Sequence, residues 1–293
     1  MNHVSSRFRL VAALAAAAFV LFFTPAAAAD EVAPELESQD LRTKAQLELK
    51  RLVAALPVPD QRRLTGIYVA FHGEASDPFA LASCDDDGDY VVVLSDAMLR
   101  LVSHVARAQS YDDANGSRKI EEYAAFLARS QLPGRRLLPP PPGFYVAESA
   151  AGTYEDRLRE SLAFVVAREL THLRTGQLVC AHPTATKEAG DDTWTAAEQR
   201  RALENAATLY PGRATHDAEA VVRVLDAGRM ERGALGLLRF LEQYEAEQRV
   251  FVPRFAPTYR THYPQSAARA SAIRVAVEGH READGDRATV QER

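Results

Sequence analysis

Between Ser161 and Gly176 the chain reads Ser-Leu-Ala-Phe-Val-Val-Ala-Arg-Glu-Leu-Thr-His-Leu-Arg-Thr-Gly, an apolar helical segment with an arginine, a glutamate and a histidine set into it. Apolar side chains on every turn make this a helix to be buried against neighbours. Arg168 stands four residues before His172 and Glu169 three before it, so the three share one helical face. Charges carried into a packed surface need partners there, because an unpaired buried charge is expensive. The helix is predicted over residues 154–175, with Gly176 ending it.

The rest of the chain reads as a helical body with one small β-meander ahead of that helix, a mainly α (α+β) fold. Residues 30–40 form an acidic leader, followed by an amphipathic helix from Leu41 to Leu56, with Leu41, Ala45, Leu49, Leu52 and Leu56 on one face and Pro57 ending it. Strand character runs through Gly66–Phe71, Pro78–Ser83 and Tyr90–Leu94. The acidic run Asp85–Asp89, with Gly88 inside it, is a hairpin turn; a calcium loop of the usual type needs twelve residues and a closing glutamate, which are missing. Ser95 caps a helix predicted to about Ala108, Asn115-Gly116 breaks the chain, and residues 118–131 form another helix. Pro139 to Pro142 is a stiff spacer. Beyond the central helix, a loop over 178–192 leads to helices over 193–209, 212–227, 234–248 and 265–278. His104 and His280 read as solvated helix positions, and Trp194 as the anchor of its helix.

Replacing Arg168 by histidine would turn Arg168-Glu169-x-x-His172 into H-E-x-x-H, which sets two imidazoles on one helix face for zinc and a glutamate as general base. Three other patches accompany it in order. They are Asp77-Pro-Phe-Ala-Leu81 with Gly88–Leu99, then Arg213-Ala-Thr-His-Asp217 with Leu225-Asp-Ala-Gly228, then Thr261-His262-Tyr-Pro264 with Arg269. Together, over about residues 60–280, they resemble the zinc metallopeptidases of family M forty-eight, the CAAX prenyl protease and BepA-like group. The resemblance implies that the family's first histidine falls at Arg168 and its glutamate ligand at Arg213. His172 is then the surviving ligand position, Glu169 the general base, Asp217 the aspartate beside the site, and His262 a histidine within reach of the metal.

Arginine has no acceptor lone pair and keeps its charge, so neither Arg168 nor Arg213 can ligate Zn²⁺. A catalytic zinc needs three protein ligands and an open position. The expected state is therefore a catalytically impaired pseudo-peptidase without a cofactor, its two guanidinium groups paired with Glu169 and Asp217. The alternative is an active zinc endopeptidase with a rearranged ligand set of His172, His216, His262 and Asp217.

At the N-terminus, Arg7 and Arg9 precede the apolar stretch Leu10–Phe23, Pro25 and an alanine run ending at Asp30. This is the pattern of a secretory signal peptide over residues 1–29 with cleavage near Ala29, which implies a periplasmic or secreted protein. An uncleaved anchor is the alternative; no later stretch is apolar enough to span a bilayer. In an oxidising compartment Cys84 and Cys180 are expected to form a disulfide. The net charge of −5, with no long basic block, excludes nucleic acid as the expected partner. No glycine loop for phosphate, dinucleotide fingerprint or G-x-S-x-G elbow occurs. The expected organisation is signal peptide, leader and helix over 30–57, metallopeptidase-like domain over 58–280, and a disordered tail over 281–293. The expected partner is a protein or peptide of the cell envelope.

Overall fold

The computed structural model describes residues 34–73, 77–132, 134–146, 151–174, 178, 180, 214–250 and 266–291. Its helices are α1 (Pro34–Ala55), α2 (Val58–Arg63), α3 (Asp96–Asn115), α4 (Lys119–Ser130), α5 (Ala151–Arg174), α6 (Ala214–Asp226), α7 (Arg232–Val250) and α8 (Ser266–Gln291). The strands are β1 (Tyr68–His72), β2 (Ala80–Cys84) and β3 (Tyr90–Ser95). The mainly helical α+β expectation holds. The signal peptide, the helix bearing Trp194, and the residues Arg213 and His262 lie outside the described residues.

α5 is the axis of the molecule. Every residue from Glu160 to Leu173 is buried, and α1, α3, α6, α7 and strands β2 and β3 all pack on it. A helix surrounded in this way must be apolar on all sides, which is what its sequence supplies. α7 crosses it closely at Gly233, where an added Cβ would stand 2.4 Å from the Ser161 backbone nitrogen. The Ser161 hydroxyl donates to the Gly233 carbonyl at 3.2 Å, and the Gly233 N–H donates to the Glu160 carboxylate at 3.1 Å.

The small sheet is not a meander. Its order is β1-β3-β2: β2 pairs antiparallel with β3 as a hairpin, and β1 runs parallel to β3 on the other side. Val91 to Leu94 are apolar on both faces and wholly buried, so β3 belongs at the centre, where neighbours cover it from both sides. The hairpin turn is built by Asp85, whose Oδ1 accepts from the Asp87 and Asp89 N–H groups at 3.0 and 2.8 Å. Its Oδ2 accepts from the Tyr68 hydroxyl at 2.9 Å. Ser95 closes β3 and caps α3, accepting from the Met98 N–H at 3.0 Å.

Three boundaries differ from the sequence reading. α1 begins at Pro34 rather than Leu41, with the proline at a helix start where its missing N–H costs nothing. Leu41, Ala45, Leu49, Leu52 and Leu56 are buried as predicted, so α1 belongs to the main core and is not a separate leader. α3 runs on to Asn115, seven residues past Ala108, and ends at Gly116 in the left-handed conformation. The charged tail is not disordered from 281: α8 continues to Gln291, its residues are mostly helix formers, and Arg281 pairs with Glu231 at 2.7 Å. Among the described residues no helix is long and apolar enough to cross a membrane.

Candidate functional site

The last turns of α5, the first turn of α6 and the start of α8 meet around one carboxylate. Asp217 lies in the first turn of α6 and is completely buried. Its Oδ1 stands 3.1 Å from Arg168 Nε on α5 and accepts from Arg269 Nη2 on α8 at 3.0 Å. Its Oδ2 accepts from Arg269 Nε. Arg168 also faces its neighbour Glu169, Nη1 to Oε1 at 3.6 Å. Two guanidinium groups and two carboxylates thus form one network, with Arg168 and Arg269 only 2% and 3% exposed.

Of the predicted pairing of Arg168 and Arg213 with Glu169 and Asp217, the Arg168 part is seen, and Arg213 lies outside the described residues. Arg168 does pair with Glu169 and Asp217, and the second arginine described on Asp217 is Arg269. Arg269 had no assigned function in the sequence reading. The signal was there: Arg269 falls on the buried stripe of α8 with Ser266, Ala270, Ile273 and Val277, at spacings of three, one, three and four residues. An arginine on such a stripe must find an acid.

His172 and His216 are both buried beside the network, their ring centroids 4.7 Å apart and the planes steeply inclined. The His216 pKa is lowered from its ordinary value, first by burial, then by His172 and Arg168, against the opposing pull of Asp217 and Glu169. α5 and α6 are joined again at the rim by an Arg174–Glu219 ion pair.

The described residues do not fit an ordinary catalytic zinc. Both Asp217 oxygens are engaged by guanidinium groups, and a cation placed among Arg168 and Arg269 would meet like charge. Of the rearranged ligand set, His172, His216 and Asp217 are brought together, and His262 lies outside the described residues, which among themselves offer two imidazoles where three ligands are needed. No cluster of three or more metal-binding side chains occurs among the described residues. Beside the network lies a small apolar recess. Met98, Leu101, Phe164, Leu237 and Leu241 line it, with Arg168 and Arg269 on its polar wall.

Away from this site, His104 is partly buried against the edge of Tyr123, with ring centroids 5.6 Å apart, and is not the solvated position expected. His280 is also partly buried, 3.8 Å from Asp226. Cys84 and Cys180 are joined in a disulfide, with Cα atoms 5.5 Å apart. It ties the end of β2 to the chain that leaves α5. The chain matches no protein-family model, no curated protein and no solved structure.

Proposed function

We propose that this chain is an exported pseudo-peptidase on a zinc-metallopeptidase-like scaffold, and that it acts by binding a protein or peptide segment in the cell envelope. The observation that carries this reading is the buried Arg168–Asp217–Arg269 network on the Arg168-Glu169-x-x-His172 helix. Two fixed positive charges stand among carboxylates where such a scaffold would hold a divalent cation, and they join the helices by ion pairs and, from Arg269, charge-assisted hydrogen bonds. The same charges remove the open, electron-accepting position that would polarise a peptide carbonyl. What remains useful is a recess: its apolar wall accepts one hydrophobic side chain of an extended segment. Catalytic zinc from a rearranged set is the second reading, favoured by the approach of His172 and His216.

Elemental analysis of the purified chain, with casein cleavage followed with and without a chelator, separates the two. The expected result is substoichiometric zinc and no chelator-sensitive cleavage. Near-stoichiometric zinc with cleavage abolished by Glu169→Gln would replace the first reading by the second.

A further inference from the structure

Away from the arginine network, α3 carries no acidic residue between Asp96 and Asp112, and the loop of residues 131–146 after α4 carries none at all. The chain as a whole has a net charge of −5, so this is a local reversal of sign. Arg100, His104 and Arg107 follow one another at spacings of four and three along one side of α3. The loop brings Arg136 within electrostatic reach of both Arg100 and His104. His104 is held down at about 4, first by burial and then by Arg107, Arg100 and Arg136. Opposing acids are few: Asp96 stands 3.7 Å from Arg100 but is bonded twice to Arg42, and Glu37 acts on Arg100 from further away.

The loop is anchored. The Tyr123 hydroxyl donates to the Leu138 carbonyl at 2.8 Å, and the Gln131 side-chain amide donates to the Arg135 carbonyl at 2.9 Å. Arg107 lies over the Tyr145 ring at 4.8 Å and Lys119 over the Phe144 ring at 4.7 Å. Arg107, Arg135 and Arg136 are exposed and have no carboxylate within ion-pair distance among the described residues. The same loop carries two apolar side chains out in solvent, Leu132 at 51% exposure and Val146 at 89%.

We infer that this face, with the cations Arg107, Arg135 and Arg136 and the apolar side chains Leu132 and Val146, docks on the surface of an anionic phospholipid bilayer. Charge complementarity accounts for the arginines, since a juxtamembrane cation strengthens binding to anionic lipid about fivefold. A soluble polyanion would use the same cations and leave Leu132 and Val146 in water. A bilayer interface takes both, with the apolar residues below the headgroups and the arginines among them.

The test is partitioning of the full chain onto phosphatidylcholine vesicles with and without 30% phosphatidylglycerol, titrated over lipid concentration at about 0.1 M salt. The apolar stretch near residues 10–23 would attach to both kinds alike, so the readout is the ratio of the two partition coefficients. We expect a ratio of tens or more, falling towards one in Arg135→Glu/Arg136→Glu with an unchanged circular dichroism spectrum and melting curve. If that variant unfolds, Arg107→Gln serves in its place, with an expected loss of about fivefold. A wild-type ratio near one, or a ratio unmoved by the charge variants, overturns the inference. Leu132→Ser/Val146→Ser should lower partitioning onto the anionic vesicles and leave retention on immobilised heparin unchanged. Unchanged partitioning would assign the face to a soluble polyanion and also overturn it.

Discussion

Asp217 faces a guanidinium on each side, ion-paired with Arg168 of α5 and accepting from Arg269 of α8, and each of these side chains is almost wholly inside the protein. Such a group is favourable only as a set, because removing one charge leaves the others buried without compensation. Arg168→Leu removes the cation 3.6 Å from Glu169 and one of the two arginines described on Asp217. The expected loss is about 3 kcal/mol in urea-induced unfolding. Arg168→Lys should recover little of it, since a lysine lacks the planar fork that reaches two carboxylates at once. A midpoint unchanged in Arg168→Leu would mean that the network contributes nothing net. The sequence identified Arg168, Glu169 and His172 because their spacing is local, and Asp217 only as what the family resemblance implied. It named Arg269 but did not pair it with Asp217, because which arginine reaches a carboxylate 52 residues away depends on where α8 docks.

α3 illustrates how an element's faces divide. One face packs against α5 and the other receives α4 and the arginine-bearing loop, so His104 is pressed against Tyr123 between the helices. Its pKa falls from 6.5 to about 4, and the sign of the consequence follows. Below pH 6.5 the unfolded chain takes up a proton on this residue that the folded chain refuses, so stability is lost as pH falls from 6.5 towards 4. The contribution is a slope of up to about 1.4 kcal/mol per pH unit. His104→Gln, which cannot take up that proton, should show a flatter stability profile than the wild type over that window, measured by chemical unfolding at half-unit intervals. Parallel profiles would show that His104 titrates normally in the fold. The helical character of α3 was legible from Ser95 and from its apolar period. The burial of His104 was not, because the polar side of a helix is distinguished from a second interface only by what packs there.

At the scale of the whole molecule, the disulfide adds a covalent link between β2 and the chain beyond α5. Cys84 closes β2 and Cys180 lies beyond the central helix, 96 residues along the chain. In the chain-entropy model a loop of that length gains about 4–5 kcal/mol from closure. Reduction, or Cys84→Ser with Cys180→Ser, should lower the urea midpoint by a corresponding amount without changing the helical content seen by circular dichroism. A midpoint that does not move would mean the two parts are already held as firmly by packing. The pairing could be proposed from the two cysteines of a chain whose N-terminus reads as a signal peptide, while the proximity that permits it is a property of the fold.

By itself the sequence determined what is local. It specified the helical body through apolar spacing, the faces of α1 and α5, the Asp85 turn, the Ser95 cap, and the placing of Arg168, Glu169 and His172 on one helix. Tertiary structure decided the order β1-β3-β2, since alternation within a strand does not say which neighbour it will pair with. It decided likewise that Arg269 completes the charge on Asp217, that His104 lies between helices, and that the cations of α3 and the 131–146 loop share one face. The reason is the same in each case. Periodicity and capping are interactions over a few residues, whereas the partner of a buried charge is settled by the docking of elements far apart in the chain.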